Sequence, residues 1–305
     1  MSLSTSGAVT INQAAALLKA GGVVAFPTET VYGLGANALD ASAVAKIYEL
    51  KGRPATSPLI VHVSSIEMAR ALVSEWPPLA DQLAKRWWPG PLTLVLPKSA
   101  RIPDIVTAGL PTVGIRIPAH PVALKLIEEA GVPVAAPSAN RFTELSPTTA
   151  EHVHHAFGDL VPVLDGGPCT VGLESTVVAI DGGKLTLLRP GMISLGDIEF
   201  AQIPQGAHPA PGMHPRHYSP RTPLLLVESS QDLPDRLGAF AWWNRSAITS
   251  RCLRMPSYPA AYAARLYSVL HQLDQEHWPW IAIELPPDQP EWAAIRDRLR
   301  RAAGR

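Results

Sequence analysis

Short apolar runs alternate along the chain with stretches whose hydrophobic residues recur at helical spacing, so strands and helices intermix from the start. Val23–Pro27, Pro58–Val63 (PLIVHV), Pro91–Pro97 (PLTLVLP) and Pro133–Ala136 read as short buried strands, and Thr112–Pro118 (TVGIRIP) alternates like a half-buried one. Between them the pattern predicts helices. Thr10-x-x-Gln13 is a capping box opening Ile11–Lys19, with Gly21-Gly22 ending it. Asp40 caps Ala41–Leu50, Ser64-x-x-Glu67 caps another helix, and Pro77–Trp88 is a further one. Pro121–Ala130 stops at Gly131, and Thr148-x-x-Glu151 opens one more helix. Asp181-Gly182-Gly183 joins Val177–Ile180 to Lys184–Arg189 as a hairpin.

This order predicts an α/β protein with a mixed sheet and helices packed on it. Pro204–Thr222 carries Pro204, Pro209, Pro211, Pro215 and Pro220 and reads as an extended connector. Beyond it, a strand at Pro223–Val227, a helix at Tyr258–Leu273, a strand at Ile281–Leu285 and a closing helix at Trp292–Arg301 make a small α/β module.

Composition narrows the classes. Lys+Arg and Asp+Glu are 26 each, which argues against a broad nucleic-acid footprint but leaves room for a local basic patch. Cys169 and Cys252 are the two cysteines; they fit no metal spacing and read as free thiols in a reducing cytosol. No apolar run is long enough to span a membrane, and MSLSTSGAVT lacks the pattern of a secretory signal.

The chemistry concentrates in a few segments. Gly22–Gly35 runs an apolar strand into a turn holding Thr28, Glu29, Thr30 and Tyr32, and ligands bind at strand ends in such sheets. The turn is neither a Walker loop nor GxGxxG, so phosphate would be held by side chains from scattered segments. Lys51 and Arg53 sit at a helix end, where a cation serves either the dipole or a phosphate. Ser138 and Asn140 can donate to the same anion. Arg116, among apolar neighbours, needs an acceptor: an internal carboxylate, or a substrate carboxylate held bidentately. His62 lies inside an apolar strand, as a core histidine or a ligand residue; Ser175, Thr176 and Arg189 are open in the same way. His152, His154 and His155 read as solvated helix residues, Trp87-Trp88 as core, and Arg296, Arg298, Arg300, Arg301 and Arg305 as a solvated helix face with at most a weak RNA contact. No Ser-His-Asp order or nucleophile motif is present.

FPTETVYGLGANA, KGRP with PLIVHV, WPGPLTLVL, TVGIRIPAHP, APSAN with SPT, GLESTVV and LLRPG together resemble the YrdC-like threonylcarbamoyl-AMP synthases over about residues 9–200, and APGMHPRHYSP with the C-terminal module resembles the two-domain version. The resemblance implies a YrdC-like twisted mixed sheet flanked by helices (9–200), a proline-rich linker or lid (201–222) and a small C-terminal Rossmann-like α/β domain (223–305). It implies a cytoplasmic nucleotidyltransferase. L-threonine, bicarbonate or CO2 and ATP would give L-threonylcarbamoyl-adenylate, pyrophosphate and water, supplying modification of adenosine 37 in tRNAs that read ANN codons. Thr30, His62, Arg116, Ala136 and Ser175 would surround threonine. Arg53, Ser57, Thr112, Ser138, Ser146 and Arg189 would hold ATP, with His217 and Tyr218 closing over it. Lys51 and Asn140 would lie near the phosphates, and Lys51, Arg53, Ser138 and Asn140 would form the catalytic set. Mg2+ would come with ATP, with Glu29 as a possible contributor and no protein-held metal. The downstream partner would be the tRNA threonylcarbamoyl transferase machinery, with an optional weak (double-stranded) RNA contact and no membrane.

Two rival readings remain at this point: an RNA-binding module without turnover, and a carbamoyl-adenylate-type transferase. The second class carries an acylphosphatase-like domain and zinc fingers, which two cysteines do not supply.

Overall fold

A computed structural model describes residues 9–196, 217–234, 237–244 and 249–304. Among them, the first sheet has eight strands: β1 (Val24–Phe26), β2 (Gly33–Asn37), β3 (Ile60–His62), β4 (Leu92–Pro97), β5 (Thr112–Arg116), β6 (Val134–Ala135), β7 (Thr176–Asp181) and β8 (Lys184–Arg189). Their order is β1-β2-β6-β3-β5-β4-β7-β8. β3 runs parallel to β5 and β4 to β7, and the other neighbours are antiparallel, so the sheet is mixed as expected. A second, fully parallel sheet contains β9 (Leu224–Val227), β10 (Ala239–Trp242), β11 (Arg251–Arg254) and β12 (Ile281–Glu284) in the order β11-β10-β12-β9. Helices Pro259–Gln275 and Ala293–Ala302 accompany it. Most of the proline-rich stretch expected at 201–222 lies outside the described residues.

Local chemistry accounts for most elements. Thr10 and Gln13 cap each other reciprocally (Gln13 N to Thr10 Oγ1 3.3 Å; Thr10 N to Gln13 Oε1 2.9 Å). Asp40 accepts from the Ser42 and Ala43 amides, and Gly52 ends helix Ala41–Lys51 in the left-handed region (φ 63°). Three expectations shift. Ser65, not Ser64, caps Ile66–Arg70 through the Met68 amide. Thr149, not Thr148, caps Ala150–Phe157 by accepting from the His152 amide (3.3 Å), and the Thr148 amide donates to His152 Nδ1 (3.2 Å). The glycine-rich turn hides β2: a Cβ at Gly35 would stand 2.7 Å from both the Phe26 ring and Val134, so only glycine lets β2 lie against them. Strands β10 and β11 carry no sequence expectation either.

Two surface assignments are overturned. His152 is buried and stacks on His271 of the C-terminal module (centroids 3.9 Å, 17°). Arg298 is fully buried, bonded to Glu174 (2.7 Å) and Asp297 (2.6 Å). Both reversals have one cause: the first domain and the C-terminal module pack against each other at these faces. Val31, Leu145 and Leu173 of the first domain share a single apolar cluster with Tyr262, Ala263, Leu266 and Leu270.

Gly172 marks one close approach between the two. Its φ is 76°, and a Cβ would fall 2.5 Å from Ala264 Cα and 2.6 Å from the Ala263 oxygen. Gly172→Ala therefore adds left-handed strain to a backbone collision, and is expected to lower stability by roughly 2–4 kcal/mol. A denaturant midpoint equal to that of the parent would overturn this.

Candidate functional site

Strand pairing sets the first half of the site. β3 and β5 are parallel with His62 opposite Arg116, so the two side chains lie side by side at the strand ends. Ile115 and Ile117 face the core, as the alternation requires. The turn after β1 comes in from the flank. Thr28 Oγ1 donates to the Val31 carbonyl (2.7 Å) and accepts from the Thr30 and Val31 amides (3.2 Å each), which aims Thr30 at Arg116. Arg116 Nη1 donates to Thr30 Oγ1 (2.9 Å), Nε donates to the Gly90 carbonyl (3.2 Å), and Nη2 lies 2.7 Å from Glu29 Oε1. Arg116 thus has an internal carboxylate and lines the cleft as well. Burial, followed by the Arg116 charge, pushes the His62 pKa down to about 3, so its ring is neutral at ordinary pH.

The second half comes from β8, the segment after helix Ala41–Lys51, and the residues at 217–218. Arg189 Nη2 donates to Ser175 Oγ (3.1 Å) and to the Ser175 carbonyl (3.0 Å), and Ser175 Oγ lies 2.8 Å from Thr93 Oγ1. Arg53 Nη2 donates to the Pro58 carbonyl (3.1 Å), its guanidinium lies 5.9 Å from the Phe142 ring centroid, and burial lowers its pKa to about 10. His217 packs edge-on against Tyr218 (4.1 Å) and Phe142 (5.7 Å). Tyr218 is buried with φ 62°.

One cleft gathers Thr30, Arg53, His62, Arg116, Ala136, Ser138, Ser175, Arg189, His217 and Tyr218, all of them sequence candidates. Its cavity is about 50 Å³.

Other candidates stand behind the lining. Lys51 Nζ, expected near phosphate, donates instead to the Ser138 (2.6 Å) and Asn140 (2.5 Å) carbonyls, and burial drives its pKa well down. Asn140 Nδ2 donates to the Arg141 and Glu144 carbonyls (2.8 Å each). Ser146 Oγ donates to Glu174 (2.6 Å). Ser57 offers its carbonyl to Tyr48 and Arg53, and Thr112 starts β5 beside Pro97. Glu29 does not line the cleft, because Arg116 holds it. Glu174 does line the cleft, and sequence reasoning gave it no role. The available signal was an acid inside an otherwise apolar and hydroxyl-rich motif, Gly172–Val177. Among the described residues no group of three His, Cys, Asp or Glu could hold a metal ion, and no helix is long and apolar enough to cross a membrane.

Residues 16–191 match the family of Sua5, YciO and YrdC proteins described as "Telomere recombination", and residues 188–304 match "Threonylcarbamoyl-AMP synthase, C-terminal domain". Threonylcarbamoyl-AMP synthase of Pyrococcus abyssi is 42% identical, over 96% of this chain and 94% of its own. That of Bacillus subtilis is 44% identical, over 96% and 93%. A crystal structure of P. abyssi Sua5 complexed with L-threonine superposes with a TM-score of 0.90 at 39% identity, covering 96% of this chain and 94% of that one.

Proposed function

Since this chain belongs to the two-domain threonylcarbamoyl-AMP synthase family, we propose that its cleft condenses L-threonine, bicarbonate or CO2 and ATP into L-threonylcarbamoyl-adenylate, releasing pyrophosphate and water. The observation that carries this reading is the meeting of Arg116, Arg53 and Arg189, from three separate segments, around one small polar cavity.

The two halves of the cleft suit the two substrates. Arg116 takes the threonine carboxylate, while Thr30, neutral His62, the Ala136 backbone and Ser175 surround the rest of the amino acid. Arg53, Ser138 and Arg189 take the nucleotide. The threonine amine combines with carbon dioxide or bicarbonate to give a carbamate. A carbamate oxygen attacks the α-phosphorus, and pyrophosphate leaves with the P–O bonding pair. No protein nucleophile is consumed, so positioning and charge neutralisation supply the rate. Lys51 and Asn140 act one layer back, fixing the Ser138–Asn140 loop through its carbonyls.

His217 and Tyr218 line the cleft and close over the bound nucleotide as a lid would. The acids present do not fit a protein-held metal: Glu29 faces Arg116 and Glu174 faces Arg298. Magnesium therefore belongs to the triphosphate as substrate. The product, a mixed anhydride prone to hydrolysis, calls for prompt consumption by a tRNA-modifying transferase acting at adenosine 37 in the cytoplasm. Arg298 and Arg301 make internal bonds and are not offered to RNA.

Incubation with labelled threonine, ATP and bicarbonate should yield the mixed anhydride by mass analysis. Arg53→Ala should cut threonine-dependent pyrophosphate release about ten- to hundredfold, since a charge-assisted contact is worth roughly 1.5–3 kcal/mol. Near-normal turnover would remove Arg53 from the site.

A further inference from the structure

The cleft is completed from outside its own domain. Arg298, on helix Ala293–Ala302 of the C-terminal module, is fully buried. Its Nε donates to Glu174 Oε2 (2.7 Å), its Nη2 donates to the Pro190 carbonyl (3.0 Å), and its guanidinium lies 5.3 Å from the Tyr218 ring centroid. Each of these three contacts touches the nucleotide half. Glu174 lines the cleft and precedes Ser175, Pro190 follows Arg189, and Tyr218 lines the cleft.

The charges explain why a cation is needed there. Glu174 is a carboxylate buried beside the place where a triphosphate must bind. Ser146 Oγ (2.6 Å) and Tyr267 OH (3.2 Å) solvate it, but neither carries charge. Burial alone would raise its pKa. The Arg298 charge, then Arg189, hold it below the ordinary range, so the group stays ionised. A buried carboxylate that loses its cation is strongly unfavourable, and beside a polyanion it also repels the ligand.

We propose that Arg298 is a positioning residue for ATP: from the second module it neutralises Glu174, ties the Glu174–Ser175 and Arg189–Pro190 segments together, and backs Tyr218 in the cleft lining. The C-terminal module thereby supplies a counter-charge that adds to that of Arg189 in the first domain, and does so without touching substrate. This rests on the reading of the cleft as a threonine- and ATP-binding site.

The test uses the full chain and four proteins: the parent, Arg298→Met, Glu174→Gln and the double variant. Calorimetry measures the Kd for ATP and for L-threonine separately, alongside melting temperature and pyrophosphate release. Arg298→Met should weaken ATP about tenfold or more while L-threonine moves less than about threefold, because of the residues read as surrounding threonine only Ser175 adjoins an Arg298 contact. Glu174→Gln added to it should recover most of the ATP affinity, and the loss of ATP affinity without a matching loss for L-threonine is the readout that a merely structural role would not give. Should Arg298→Met fail to fold, the double variant and Arg298→Lys, which keeps the charge, carry the comparison. Unchanged ATP affinity, equal weakening of both ligands, or a double variant no better than Arg298→Met would each overturn the proposal. If the parent binds ATP and L-threonine but releases no pyrophosphate, it is the catalytic reading that fails, and the ATP Kd series still decides the role of Arg298.

Discussion

Arg116→Gln should abolish threonine use while leaving the nucleotide half in place. A bidentate carboxylate clamp contributes two charge-assisted bonds of roughly 1.5–3 kcal/mol each, so kcat/KM for threonine should fall by about two to four orders of magnitude. A complication is built into the site. Glu29 lies 2.7 Å from Arg116, and both are buried, so the single variant strands a carboxylate. That alone should lower stability by roughly 3–5 kcal/mol. Glu29→Gln in the same chain removes the stranded charge and should restore the melting temperature without restoring threonine binding. This separation of folding from recognition is the decisive result. A double variant whose threonine KM stays within a few-fold of the parent would show that Arg116 is a core ion pair and nothing more.

The sequence was most legible where a residue's role is local. The Thr10–Gln13 box, the Asp40 cap and the Gly131 stop each act within one turn of chain, and each appears at its expected place. The hairpin at 181–183 is likewise set by its own glycines. Residues whose role is set by distant packing were misread. Arg298 and His152 have ordinary surface sequence contexts, and only docking of the second module buries them. Strand β2 was missed because its Gly33 and Gly35 look like turn residues, and their value lies in what Phe26 and Val134 place against them. In the site, hydroxyls and arginines that line the cleft could be picked out by type. Which cations face the cavity could not: Lys51 and Arg53 are two residues apart, yet the first is spent on backbone carbonyls and the second lines the cleft. Helix phase and the αL turn at Gly52 decide that difference.

Mild acid should unfold this protein well before its carboxylates titrate. Three histidines, His62 and His152 buried and His271 half-buried, are held in neutral form. Burial and Arg116 hold His62 at about 3, burial and the neighbouring His271 hold His152 at about 3, and burial holds His271 at about 4. In the unfolded chain each would titrate near the ordinary 6.5. Their folded values are depressed, so above pH 6.5 they have no effect on stability. Below it the unfolded state takes up protons that the folded state refuses, and stability falls as pH drops. The slope is about 1.4 kcal/mol per pH unit per histidine, so at pH 5 each removes roughly 2 kcal/mol and the three together about 6. That is a large share of the stability of an ordinary domain. Glu174 and Asp297 have folded values below the usual carboxylate range, so their contributions persist through this window and are lost only at lower pH. The measurement is the denaturation free energy between pH 7 and pH 5 for the parent and for His152→Asn, whose side-chain oxygen can replace Nδ1 as the acceptor for the Thr148 amide. The variant should show a shallower slope than the parent, because it removes one of these proton acceptors. A parent whose stability is flat from pH 7 to 5 would mean that these rings are protonated in the fold, and with it would go the neutral His62 that the threonine half of the cleft requires.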